Sequence, residues 1–224
     1  MSRTIELERL TAHTHSPSLL WAGIVAVEIS LLVAHFETTS AKIEQVRYLV
    51  YPFVWINAGL WAVSRTHPTA GNRRHRLFGL LVAGSYFVLV TNLAGNIGLG
   101  TPGTPLGFRI GWYAPGWGPL VALDSSVVRL YLVPFEVVGY VSLAYLVYAN
   151  TLSLTRGTLS GVLGLVTCVG CTVPVLAPTV GLLGGPASAL TTTAYQWSYD
   201  LGTLLFLITV GLLYASHRRS VPDR

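Results

Sequence analysis

The chain has 224 residues, of which 52% are hydrophobic and 10% charged, with a formal net charge of +5. Soluble domains carry about 25% charged residues, so this composition lacks the polar surface of a water-soluble globule. It also excludes a nucleic-acid-binding role: the basic residues are scattered over short loops, and no soluble domain gathers them on one face.

Residues 1–17 read as a polar tail with a partial helix around TIELERL. Its His13 and His15 form an HxH pair that is more simply part of a tail than a metal site. Six apolar segments follow, at 19–36, 46–63, 77–99, 127–149, 159–183 and 201–215. A bilayer core about 30 Å thick takes roughly 20 helical residues, which most of these supply. The sixth reaches that length only if it begins at Tyr195 and includes Asp200. The first contains Glu28 and ends in AHFETTS, without a small-x-small cleavage pattern, so it reads as a first membrane helix rather than a cleaved signal. The expected fold is therefore all-α: a polytopic bundle of six transmembrane helices forming a single membrane domain over 1–224.

Charge orients that bundle. Arg65, Arg73, Arg74, Arg76, Arg156, Arg218, Arg219 and Arg224 fall on one side if the helices alternate, and the loops of the other side nearly balance. The positive-inside rule then places both termini in the cytoplasm of a cell-membrane protein. Residues 100–126 become an external loop rich in glycine and proline, carrying Trp112, Tyr113 and Trp117. It reads as an interfacial cap on the helix ends, or as a lid or docking surface, because the aromatics suit the boundary between lipid and water.

Two acidic residues stand inside apolar segments. Glu28 and Glu136 each lie about ten residues into their helices, hence roughly 15 Å deep. A carboxylate there is expensive unless protonated, paired or hydrated. The cysteines of LVTCVGCTVPVLAP, Cys168 and Cys171, reach a similar depth in the fifth segment. Their i, i+3 spacing puts both thiols on one helix face. Pro174 lacks the N–H that would bond the Gly170 carbonyl, which frees that oxygen beside them. Such a pair suits thiol–disulfide exchange or soft Cu(I) binding, and it also suits ordinary packing next to glycine.

The CVGCTVP segment resembles the cysteine–proline segments of membrane thiol-disulfide transporters. Those proteins carry one reactive cysteine in each of two helices, whereas both cysteines here share one. The whole chain more closely resembles an uncharacterised family of multi-pass membrane proteins from haloarchaea, through TCVGCTVPVLAPTVGLLGG. That resemblance implies an association with respiratory oxidase and haem synthesis, and so copper handling or assistance to respiratory cofactor assembly. The competing readings are a solute transporter or permease subunit, which would need an ATPase partner because no nucleotide motif is present, and a membrane redox protein.

Overall fold

The structure, a computed structural model, describes residues 17–39, 45–68, 72–154 and 189–220. They fall into two compact units, 1–46 and 47–224. Helix α1, Pro17–Thr38, makes up the described part of the first unit. Its apolar side chains are exposed along most of its length, and Glu28, half-buried, stands near its middle.

The second unit begins with α2, Val46–Arg65, and α3, Arg73–Leu93. A four-stranded antiparallel sheet follows: β1 Ile97–Leu99, β2 Gly107–Gly111, β3 Leu120–Asp124 and β4 Val128–Leu132, in the spatial order β1-β4-β3-β2. Helices α4, Pro134–Leu154, and α5, Ala189–Ser220, complete it.

This architecture corrects the all-α expectation. The fold is mixed α/β, and among the described residues four helices are long and apolar enough to cross a membrane: Leu19–Thr38, Arg73–Leu93, Pro134–Ser153 and Tyr199–Arg219. Helix α2 has the length, but Arg47, Asn57 and Arg65 dilute its apolar character. The expected fifth helix, at 159–183, lies outside the described residues.

Two apolar runs were each a strand joined to a helix. Residues 77–99 contain most of α3 and all of β1; residues 127–149 contain β4 and most of α4. Pro134 opens α4, where its missing N–H costs nothing and its fixed φ already suits a helix. The stretch before it, VRLYL, alternates as a strand does. The expected external loop likewise contains β2 and β3.

The core of the second unit forms around Trp55 of α2. Its ring stacks on Phe206 of α5 with centroids 4.1 Å apart. Phe135 and Tyr140 of α4 meet it edge-on at 5.5 and 5.6 Å. The indole donates to Thr203 Oγ1 at 3.0 Å. Further along, Asn150 of α4 donates to the Leu213 carbonyl of α5 at 3.0 Å, and Tyr145 donates to the Thr66 carbonyl at 2.9 Å. Polar side chains of this kind join helices in lipid, where burial of apolar surface gives no drive for association. Replacing Trp55 with alanine removes both the stacking and the bond to Thr203. The expected loss is roughly 3–5 kcal/mol, measured by denaturant unfolding in mixed micelles; an unchanged midpoint would contradict this core.

Candidate functional site at the junction of bundle and sheet

The sequence of α2 creates the first feature of the site. Pro52 lies inside the helix, so the Tyr48 carbonyl four residues earlier has no backbone N–H to accept from. The Trp117 indole, from the β2–β3 connection, donates to that carbonyl at 2.7 Å. Its neighbour Gly116 has a φ of 87° and lies against Pro52, where a Cβ would collide with the proline ring. The Gly116 carbonyl accepts from the Phe135 N–H at 3.1 Å, which joins the same connection to the start of α4. Trp117 also meets Phe135 and Tyr199 edge-on at 4.8 and 5.1 Å. One indole therefore touches α2, α4 and α5.

Beside it, Arg47 pairs with Asp200 of α5 at 2.8 Å. The Tyr51 hydroxyl donates to the other oxygen of the same carboxylate. The Arg47 guanidinium lies 5.2 Å from the Tyr48 ring and 5.7 Å from Trp197. Asp200 is thus one carboxylate with two donors, tying the first turns of α2 to the body of α5.

Glu136 belongs to this end of the molecule. It sits in the first turn of α4, where the helix dipole favours a negative charge. The Asn96 amide, just before β1, donates to it at 2.7 Å. This corrects the expected place in the helix: the residues before Pro134 form a strand, so Glu136 stands in the first turn of α4 beside the sheet and not ten residues into a helix.

The sheet carries a second polar cluster. Its register places Asp124 opposite Arg129 and Ala122 opposite Tyr131. Asp124 accepts from Arg109 at 2.9 Å and from the Tyr131 hydroxyl at 3.0 Å. Arg129 lies 6.0 Å from the Tyr131 ring and forms no ion pair among the described residues. Of the three aromatics picked out in the loop, Trp117 is the wedge just described, while Trp112 and Tyr113 follow β2 and are exposed.

The expected metal chemistry does not survive. Among the described residues no group of three His, Cys, Asp or Glu side chains could hold a metal ion, so copper handling and respiratory cofactor assembly are withdrawn. Cys168 and Cys171 lie outside the described residues. Of the four groups expected in one layer, Glu136 stands in the first turn of α4 beside the sheet, and residues 100–126, read as an interfacial cap or as a lid or docking surface, contain β2 and β3. The thiol redox reading loses its basis with that layer, and the permease reading, which rested on a six-helix bundle, loses it with the mixed fold. The sequence also missed Arg47–Asp200. The signal was Asp200 itself, an acid inside an apolar run, which asked for a cation near a helix end.

The family model described as a family of unknown function (DUF7546) matches residues 1–220, and the chain belongs to that family. No curated protein and no solved structure matches it. The match carries neither the archaeal origin nor the thiol–disulfide link that the sequence resemblances implied, and both are dropped.

Two outcomes test the site. Trp117→Phe leaves the Tyr48 carbonyl without its donor, at an expected cost of about 1–3 kcal/mol. Pro52→Ala returns an N–H to that carbonyl, so Trp117→Phe should cost measurably less in the alanine background; strict additivity in the double-mutant cycle would refute the coupling. On the sheet, the hydrogen bond to Asp124 raises the Tyr131 phenol above its usual range, with burial adding to the effect. A raised folded value means this contribution to stability is complete below the unfolded tyrosine pKa of about 10 and is lost as pH rises through the folded one. The tyrosinate absorbance difference between wild type and Tyr131→Phe should titrate late, and Asp124→Asn should bring it back toward the ordinary value.

Proposed function

We propose that this member of a family of unknown function is a membrane-integral docking subunit, whose helices hold the sheet as a fixed platform at the bilayer surface. The observation that carries the reading is the attachment of the sheet. Three residues separate α3 from β1, one separates β4 from α4, and the β2–β3 connection is wedged among α2, α4 and α5 by Trp117. A platform held at so many points has little freedom to lose when a partner binds, which favours affinity.

The platform's charged face selects the partner. It carries Arg109 and Arg129 against a single Asp124, and Arg129 is exposed, so the fitting surface is an acidic protein segment that pairs with Arg129. The sheet lies at the end opposite Arg65, Arg73, Arg218 and Arg219. By the positive-inside rule we assign that arginine-rich end, with both termini, to the cytoplasm and the sheet to the outer side.

A photoreactive phenylalanine analogue at position 109, irradiated in native membranes, tests the reading. One discrete protein adduct is expected, and Arg129→Glu should weaken it several-fold. Mass spectrometry of the adduct identifies the protein that supplies the surface. Adducts to lipid alone, to another copy of the chain, or to nothing would overturn it.

A further inference from the structure

The other face of the sheet is unlike the first. Directly opposed residues of an antiparallel sheet share a face. Phe108 stands opposite Leu123, which stands opposite Leu130; Ile110 stands opposite Val121, which stands opposite Leu132. The next pair along, Leu99 and Val128, is again apolar. No charged or hydrogen-bonding side chain interrupts this face, whereas the reverse face holds Arg109, Asp124, Arg129 and Tyr131. Its outer members are open, Phe108 at 63% and Leu99 at 88% exposed, while Val121, Leu123 and Leu130 between them are half-buried. A sheet standing in water would not leave such a face bare.

We propose that this face lies on the lipid bilayer, so that the sheet reclines at the membrane surface as an amphipathic plate, apolar side down and charged side to water. Four arguments select lipid over another occupant. The sheet is fused to two helices of membrane-crossing length, Arg73–Leu93 and Pro134–Ser153, by connections of three residues and one, which holds its near edge at the membrane boundary. Apolar side chains are exposed on α3 as well, at Val88 and Leu89 near the end that leads into β1, as on a helix facing lipid. The exposed Trp112 and Tyr113 follow directly from β2, in the composition of an interfacial aromatic belt. Finally, the face is small. Strands about 4.8 Å apart and about 3.4 Å per residue give it roughly 300 Å², against about 800 Å² per partner in a stable protein interface. The turn that lets the sheet recline is present at its junction with α3. Gly95 has a φ of 81°, and Asn96 N bonds back to the Thr91 carbonyl, a helix ending that redirects the chain.

This inference concerns the face opposite the docking surface and stands or falls separately from it. The test is nitroxide accessibility in vesicles of phosphatidylcholine with some phosphatidylglycerol. The labels are carried singly by Phe108→Cys, Arg109→Cys and Ile110→Cys in a chain whose Cys168 and Cys171 are replaced by serine. Positions 108 and 110 should collide several-fold more with oxygen than with a water-soluble nickel chelate, and position 109 should reverse the ratio. Chelate access at all three would overturn the proposal, as would shielding of 108 from both reagents, with spin–spin broadening if a second copy covers it. Hydroxyl-radical footprinting of the unaltered protein gives an independent reading. Phe108 and Trp112 should be protected in vesicles while Tyr131 is oxidised; oxidation of Phe108 and Trp112 as strong as that of Tyr131 would equally refute it.

Discussion

A single missing N–H organises the junction on which this structure depends. Pro52 interrupts the hydrogen-bond ladder of α2 and frees the Tyr48 carbonyl, and the Trp117 indole satisfies it from outside the helix. In a low-dielectric surrounding an unpaired carbonyl is costly, so a defect in one helix becomes a directional anchor for the sheet. The proline ring also supplies the surface against which Gly116 packs. The position of the whole β2–β3 connection follows from that one residue.

The remaining polar groups at this end obey the same rule of pairing. Asp200 takes donors from Arg47 and Tyr51, and Glu136 takes one from Asn96 while sitting at the positive end of a helix. Each pair joins two elements that the chain order separates: α2 to α5, and α4 to the turn before β1. Inside the bundle, aromatic stacking on Trp55 and carbonyl-directed bonds from Asn150 and Tyr145 take over. The ion pairs among the described residues therefore lie at the end where bundle and sheet meet. This division explains why the sheet belongs to the functional reading even though most of the chain is apolar.

Several features were legible in particular residues. The low charge content and the long apolar runs identified membrane helices, and α1, α2 and α3 begin within four residues of their expected starts. Pro134 and the alternation of VRLYL were both visible, yet they were absorbed into one apolar run. Hydropathy over a long window does not distinguish a helix from a strand that leads directly into one. The same averaging hid β1 behind α3 and put Glu136 ten residues into a helix instead of in its first turn. The rule that a proline frees a carbonyl, read in the sequence at Pro174 and Gly170, falls there on residues outside those described. The described structure shows it at work at Pro52, where the partner comes from a residue 69 positions away.

What the sequence determined alone was local and compositional: an apolar chain with too little charge for water, carrying runs of helical length, with several of its arginines clustered in short stretches between and after them. Those properties are sums over neighbouring residues, and hydropathy and periodicity report them directly. Only the tertiary structure decided that four short strands pair into a sheet with one apolar and one charged face. Only it decided that Asp200 meets Arg47 and that Trp117 finds Tyr48. The physical reason is that strand register and hydrogen-bond partnership join residues far apart in the chain. No local pattern says which distant group will satisfy a freed carbonyl or a buried carboxylate.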